Sequence, residues 1–461
     1  MFPAQTYTQR REALNKTVGT GIALFLGNAD SPMNYADNIY HFRQDSSFLY
    51  FFGLDAPNLA AIIDFDAGTT TLFGDDGDID SIVWTGPLPS LVERAAGAGI
   101  TQVQPFASLQ SMLASAAQAG RTIHTLPQYR ADNRLLLASL LNVAVDAHAP
   151  STTLIKAVVD LRAVKDALEI AEMENALEIT WRMHMLAMRS SQPGVREQEV
   201  VGLMHGLANS QGRETAYPII FSRDGHILHN HGHGYTLEAG NLVVNDAGAE
   251  SPLKYASDIT RTIPVGGRFT EQQKPVYQAV LDSQLASIAA MKPGVPFRDV
   301  YDLSARVIVD GLKALGLYKG DSAEAVAAGA HGLVYPHGLG HMIGLDVHDM
   351  EGLGENLVGY GEGFERSTLF GRKSLRLARP LCEGWVVTVE PGIYFIPALI
   401  DRWQAEGKFK EFINYEAFAA YRNFGGIRIE DDVLVTADGA RVLGKPIAKT
   451  IEEVEAASTA L

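Results

Sequence analysis

The sequence predicts two folded domains in one chain, an α/β N-terminal domain and a larger α+β C-terminal domain. Three observations lead there. At 461 residues the chain exceeds what one ordinary hydrophobic core serves. Its first third sets short β-like runs between turn formers before helical stretches begin. The remainder opens on a long amphipathic helix and then mixes helices with separate strands.

In the first part, residues 22–26, 48–52, 60–65 and 69–73 read as strands, rich in aromatic and β-branched side chains. Gly53, Asp66-Ala67-Gly68 and Gly74-Asp75-Asp76-Gly77 punctuate them. Helical patterns follow over 89–97 and 107–119. A domain of about 150 residues results, and His148-Ala149-Pro150-Ser151 marks its end, giving domains 1–158 and 159–461.

The second part begins with Ile170, Met173, Leu177, Trp181, His184 and Met188 at spacings of three and four, one apolar helical stripe. His184 lies on that stripe and reads as a core histidine. Ser191-Gln192-Pro193-Gly194 stops the helix. Two further helices, carrying Tyr277, Leu281, Leu285 and Ile288, then Val300, Leu303, Val307 and Leu315, are separated by Pro293-Gly294. Thr270 and Gln273 form a capping box for the first, although Pro275 argues for a later start. Strands are expected over 242–246, 258–265, 385–390 and 427–435, and a last helix from Thr450, with Glu453 as its capping partner.

Composition excludes several classes. Lys and Arg number 38 against 54 Asp and Glu, a net charge of −16, with no long basic run, so nucleic-acid binding is not expected. Hydrophobic residues at 46% and charged residues at 20% describe a globular chain, not a disordered one. The single cysteine, Cys382, permits no internal disulfide and no cysteine-built metal site, which suits a reducing compartment. Met1-Phe2-Pro3-Ala4-Gln5-Thr6 lacks a basic-then-apolar leader pattern, and the apolar run 135–145 is broken by Ser139 and Asn142 and too short to cross a bilayer. The expectation is a cytoplasmic protein with no membrane partner.

The chemistry lies in acids at strand ends and in a histidine cluster. Side chains alternate faces along a strand. Arg428 and Glu430 therefore share a face opposite Ile427 and Ile429, and Glu390 points away from Val387 and Val389. Asp246 closes an apolar run, and Asp258 shares a face with Thr260. Each alone would read as an ordinary surface acid. Four carboxylates at the ends of buried strands are costly unless something offsets their desolvation, and a cation does so. Eight of the thirteen histidines fall from His226 to His348. Three of them sit in His337-Gly338-Leu339-Gly340-His341-Met342-Ile343-Gly344-Leu345-Asp346-Val347-His348-Asp349. This is not the helical zinc pattern of two histidines around a glutamate; its glycines admit close backbone approach and unusual φ. In Ile227-Leu228-His229-Asn230-His231-Gly232-His233, His229 beside two apolar residues is the pocket candidate, and His231 and His233 read as solvated.

The ordered set Asp246, Asp258, His341, Glu390 and Glu430 resembles that of the pita-bread metallopeptidases. The surrounding words agree: Asp246-Ala247-Gly248, Ser257-Asp258-Ile259-Thr260-Arg261-Thr262, Thr388-Val389-Glu390-Pro391-Gly392-Ile393-Tyr394 and Gly426-Ile427-Arg428-Ile429-Glu430-Asp431. Within that group the likeness is to the prolidase family of Xaa-Pro dipeptidases, with the Xaa-Pro aminopeptidases as neighbours. It covers nearly the whole chain, including Phe42-Arg43-Gln44-Asp45-Ser46-Ser47-Phe48 in the first domain. The Asp246 to Asp258 spacing is one residue wider than the pattern, and a turn near Ser251-Pro252 is expected to absorb it.

The resemblance implies a pita-bread catalytic domain behind an aminopeptidase-P-like N-terminal domain, and two divalent ions, Mn²⁺ foremost and Co²⁺ next, as suits an oxygen-rich ligand set. Asp258 and Glu430 would bridge the ions, Asp246 would chelate one, and His341 with Glu390 would complete the other. Such a pair lowers the pKa of a shared water and stabilises a developing oxyanion, with Glu390 carrying the proton. His229, His337 and His348 would contact substrate and assist catalysis, Arg428 would orient Glu430, and Tyr394 would line the pocket. The substrate bond before proline is a tertiary amide with no N–H, and its cis form is well populated, so the site would select the trans isomer. Among Arg366, Arg372, Lys373, Arg376 and Arg379, the likeness assigns Arg376 to clamp the free carboxylate of a dipeptide, a task suited to a guanidinium; the other four could equally be a solvated basic face. The clamp favours dipeptides over the longer peptides of an aminopeptidase. Gly359-Tyr360-Gly361-Glu362-Gly363 reads as part of this insertion, not a nucleotide loop. The resemblance also implies a homodimer, its first domain making dimer contacts and narrowing the cleft. A non-catalytic scaffold of the same fold would be marked by lost ligands, and all five ligand types are present.

Overall fold

The computed structural model describes residues 1–459. They divide into two compact units, Met1–Arg162 with Met350–Val358, and Ala163–Asp349 with the chain from Gly359 onward. The division after Arg162 and the expected one after residue 158 both fall within the helix Thr152–Ala163, and the first unit also takes in Met350–Val358, which a linear division does not include. So short a piece carries no composition shift that would announce it.

The first unit is built on one mixed sheet. β1 (Ile22–Leu26), β2 (Ala60–Asp64) and β3 (Thr69–Phe73) form an antiparallel meander, and β4 (Gln102–Gln104) and β5 (Ile123–Thr125) add in parallel at its edges, in the order β4-β3-β2-β1-β5. Ile22, Leu24, Leu26, Ile62 and Phe73 pack with Leu109 and Leu113 of the helix Leu109–Gln118. The expected strand over 48–52 is instead the helix Ser46–Phe52, capped by Asp45, whose carboxylate accepts from Phe48 N at 2.9 Å, and closed by Gly53 in the left-handed region. All seven of its residues are buried. With every face covered there is no polar stripe to betray a helical period, and the aromatic run mimics a buried strand.

The second unit opens with the helix Ala167–Ser190, started by an Asp166–Glu169 capping box and burying Met173, Leu177, His184 and Met188. His184 is sealed, its Nε2 donating to Ala247 O at 3.1 Å and its Nδ1 accepting from Asn245 Nδ2 at 3.0 Å. The helices Gln273–Ala290 and Phe297–Ala314 follow. Thr270 and Gln273 exchange their capping hydrogen bonds at 2.9 and 3.3 Å. Pro275 does not delay the start, because it falls in the first turn, where its missing N–H has no helical partner to lose.

β6 (Ile220–Ser222), β7 (Leu242–Asp246) and β8 (Thr260–Pro264) form one antiparallel sheet. β9 (Val386–Val389), β10 (Gly392–Tyr394), β11 (Gly426–Arg428), β12 (Asp431–Val435) and β13 (Ala440–Val442) form two more, β10-β11 and β13-β12-β9. The single strand expected over 427–435 is thus two, broken at Ile429-Glu430, and each half pairs elsewhere. Between Asp246 and Asp258 the chain makes a tight turn in which Ser251 N donates to Tyr255 O at 2.8 Å and Lys254 adopts φ 68°. Among the described residues no helix is long and apolar enough to cross a membrane.

Candidate metal centre

Four strand ends and one glycine-rich segment meet in the second unit. β7 ends on Asp246, Asp258 stands just before β8, Glu390 follows β9, and Glu430 occupies the break between β11 and β12. The His341 segment lies along β9: Thr388 N donates to His341 O at 2.9 Å, Thr388 Oγ1 accepts from His341 N at 3.1 Å, and Glu390 N donates to Leu339 O at 2.8 Å. The glycines here serve close approach, not positive φ. A Cβ on Gly340 would lie 2.0 Å from Thr388 O, and one on Gly338 3.0 Å from Leu375 Cα.

These elements bring Asp258, His341 and Glu430 together so that one ligand atom from each falls within 4.8 Å of the others. His341 Nε2 lies 3.5 Å from Asp258 Oδ2 and 3.7 Å from Glu390 Oε1. Its Nδ1 donates to Met342 O at 3.0 Å, which leaves the Nε2 lone pair facing the carboxylates. Asp246, Asp258, His341 and Glu430 are buried and Glu390 is half-buried. They line a cavity of about 260 Å³ with His229, His337, His348, Arg376 and Arg428.

Electrostatics make the cluster unsatisfied as it stands. Desolvation, reinforced by the neighbouring carboxylates, raises the pKa of Asp246 and lifts Glu430 well above the carboxylate range. Desolvation likewise raises Asp258. Glu390 is pushed up to about 8, first by desolvation and then by Asp258 and Asp246, against the pull of Arg428. Four carboxylates converge and one sealed guanidinium, Arg428, answers them. Added cations would remove that imbalance, and a donor set of carboxylate oxygens with one correctly turned imidazole fits hard or borderline divalent ions.

The surrounding residues depart from expectation in three places. Arg428 does not reach Glu430. Its Nη2 donates to Asp246 Oδ2 at 2.6 Å, Nε to Thr260 Oγ1 at 3.1 Å and Nη1 to Tyr394 Oη at 2.9 Å, while Thr260 Oγ1 donates onward to Glu430 Oε2 at 2.6 Å. Both side chains line the same cavity, with the Thr260 hydroxyl bridging them. Tyr394, expected at the pocket wall, is fully buried behind it, between Arg428 and His337. His337 does line the cavity, but both its nitrogens are engaged, Nδ1 donating to Gly338 O at 2.7 Å and Nε2 accepting from Tyr394 Oη at 2.9 Å. Burial and Arg428 hold it neutral, with a pKa lowered to about 3, so it offers the cavity a ring rather than a donor.

His348 lies beside His341 with ring centroids 4.1 Å apart and the rings tilted by 51°. His229 sits exposed at the rim, its pKa lowered by partial desolvation and by Arg428. His231 is exposed, and His233 Nδ1 turns to Phe221 O. Arg376 alone of the five insertion cations lines the cavity. The sequence reading missed Tyr217, whose hydroxyl lies 2.6 Å from Asp246 Oδ1 and 2.5 Å from Asp258 Oδ1. A lone tyrosine ahead of a short apolar strand gives no pattern to find. It also missed Asp432, which accepts from Asp258 N at 3.1 Å and is fully buried.

Fold and site together define a two-domain protein with a carboxylate-rich divalent-metal centre. Residues 171–437 match the profile of metallopeptidase family M24, and residues 7–124 match that of the aminopeptidase P N-terminal domain. The chain belongs to metallopeptidase family M24. It is 33% identical to the human Xaa-Pro dipeptidase over 453 residues, 96% of this chain and 90% of that one. It is 32% identical to a probable Xaa-Pro aminopeptidase of Podospora anserina over 442 residues, 95% and 92% of the two chains. An Escherichia coli aminopeptidase P variant solved with substrate superposes with TM-score 0.81 at 30% identity, covering 99% of this chain and 98% of that one. The catalytic domain therefore has the pita-bread fold expected from its sequence.

Proposed function

We propose that this protein is a metal-dependent Xaa-Pro dipeptidase that cleaves the bond before a C-terminal proline, using two divalent cations, Mn²⁺ or Co²⁺. The observation that carries the reading is Arg376, which enters the same cavity as the five expected ligands. The ions would be held by Asp258 and Glu430 together with Asp246, His341 and Glu390. Cations bound there would supply Lewis-acid activation of water and of the scissile carbonyl.

The chain's own residues do the rest. Glu390, at the edge of the carboxylate cluster and 3.7 Å from His341 Nε2, would take and return the proton of the attacking water. His348 and His229, which line the cavity, would donate to a developing oxyanion, and the ring of His337 would wall the proline side. Arg376 pairs with the substrate carboxylate and fixes the peptide for attack. Arg428 and Tyr217 hold Asp246 and Asp258 in place. The compartment is proposed to be the cytoplasm. A homodimer is proposed as well, supported by the exposed apolar side chains of Ile79, Val83, Trp84 and Leu88 in the first unit.

A second reading, Xaa-Pro aminopeptidase, is favoured by the likeness to aminopeptidase P structures over 99% of the chain. Hydrolysis of Gly-Pro and Gly-Pro-Pro by Mn²⁺-loaded protein, with metal analysis of the same sample, separates the two. Cleavage of Gly-Pro supports the first; cleavage confined to the tripeptide replaces it with the second. Arg376→Ala should lower Gly-Pro turnover sharply without changing metal content.

A further inference from the structure

Arg376 belongs to a stretch, 361–379, that follows the π-helical turn Asn356–Tyr360 and has almost no regular structure beyond the short turn Arg372–Ser374. A clamp on a long side chain works only if its backbone is held, because a shift of about 1 Å misplaces a bidentate contact. We propose that the Asp302–Arg372 ion pair, assisted by the Tyr360 hydroxyl, is the positioning device that sets Arg376 and with it the preference for substrates ending at proline. This rests on the dipeptidase reading of the cavity.

The geometry runs as one chain of contacts. Asp302 sits on the helix Phe297–Ala314, a rigid element of the catalytic unit, and accepts from Arg372 Nη2. Among the described residues Arg372 Nε is buried with no hydrogen-bond partner, and Nη2 pairs with the carboxylate of Asp302. The turn begun at Arg372 closes through Leu375 N donating to Arg372 O at 3.0 Å. Leu375 O then accepts from Tyr360 Oη at 2.6 Å. Next along, Arg376 O presses on Gly359, where a Cβ would lie 1.8 Å away, and Gly359 O accepts from Ala378 N at 2.8 Å. None of Asp302, Arg372 or Tyr360 lines the cavity.

The neighbouring cations have other seats. Arg366 lies over the Tyr360 ring, Lys373 over Phe370 and Arg379 over Trp385. Arg372 thus serves as the anchor and Arg376 as the reader, two roles for two residues of one basic run.

The test compares Asp302→Asn, Arg372→Gln and Tyr360→Phe with Arg376→Ala in Mn²⁺-loaded protein. Two readouts are taken: KM and kcat for Gly-Pro, and calorimetric affinity for L-proline and L-prolinamide. The expected result for Asp302→Asn and Arg372→Gln is a KM for Gly-Pro raised about tenfold, the effect of one charge-assisted hydrogen bond lost, with kcat within about twofold. L-proline should weaken in step and L-prolinamide should not. The exchanged pair, Asp302→Arg with Arg372→Asp, should recover part of the loss. If either single variant fails to fold, Tyr360→Phe carries the test, with a smaller shift in the same direction. A fall in kcat at unchanged KM, or equal weakening of L-proline and L-prolinamide, overturns the tether. So does a wild-type KM in the tether variants while Arg376→Ala raises it. If Arg376→Ala itself leaves KM unchanged, the clamp reading fails and the tether falls with it.

Discussion

Arg428 donates to Asp246 across 2.6 Å, and both side chains are almost sealed from solvent. The same guanidinium serves Thr260 and Tyr394, so one buried cation steadies a carboxylate, a hydroxyl and a phenol around the cavity. Removing one partner of a buried pair leaves an uncompensated charge, at a cost of roughly 3–5 kcal/mol. Divalent cations beside Asp246 would supply much of the missing compensation. Arg428→Met is therefore expected to lower the melting temperature strongly in chelator and much less with Mn²⁺ present. Thermal scans in both conditions check this; equal losses in the two would show that Arg428 does not act through the charge of Asp246.

The raised carboxylates of the cluster set the pH dependence of metal loading. A group held at about 8, as Glu390 is, carries its proton at pH 7 and must release it to ligate a cation. Apparent affinity for Mn²⁺ should accordingly climb from pH 6 to about 8 and level off above. Titration calorimetry in two buffers of different ionisation enthalpy should register net proton release at pH 7, reduced in Glu390→Gln. Affinity that stays flat over this range would contradict the assignment of Glu390 as a protonated group in the metal-free site.

The cluster of carboxylates and histidine was legible in part because its members obey one-dimensional rules. Asp246 and Glu390 interrupt apolar strand runs, and the glycines around His341 announce close backbone contact at Thr388. Features that depend on convergence were not. Tyr217 acquires its place only when β7 and the segment before β8 bring two carboxylates to its hydroxyl. The partner of Arg428 could not be read from alternation, because alternation presumes a continuous strand and the ladder breaks at Ile429-Glu430. The helix Ser46–Phe52 hid for the opposite reason: complete burial erased its period.

Two buried histidines outside the ligand set predict acid sensitivity. His331 accepts from Tyr301 Oη through Nε2 at 2.9 Å, its Nδ1 is buried without a partner among the described residues, and burial followed by Arg372 lowers its pKa to about 3. His184 is lowered to about 4, again by burial first. The unfolded chain takes up these protons near pH 6.5 and the folded one does not, so stability is full above that pH and falls below it. Between pH 6.5 and 5 each histidine should cost roughly 2 kcal/mol. His331→Gln, which keeps an acceptor for Tyr301, should remove one share of that loss. Urea unfolding of chelator-treated protein at pH 7.5 and 5.0 measures it; an unchanged difference between the two pH values would rule His331 out as a contributor.

Gly340 offers the sharpest test of how the histidine segment reaches the metal centre. Its Cα lies against the Thr388 carbonyl so closely that a Cβ would stand 2.0 Å from the oxygen and 2.7 Å from its carbon. Backbone on both sides leaves no flexible side chain to give way, so Gly340→Ala must push the segment off β9. The hydrogen bonds joining His341 to Thr388 are the first to stretch, and with them goes the placement of Nε2 opposite Asp258. The expected outcome is a folded protein that binds Mn²⁺ at least about tenfold more weakly, the loss of one well-placed ligand, with Gly-Pro hydrolysis falling in parallel. Gly352, where an added Cβ meets nothing within 4 Å, supplies the control, and Gly352→Ala should leave both measurements at wild-type values. Normal metal binding by Gly340→Ala would mean that His341 does not depend on its seat along β9.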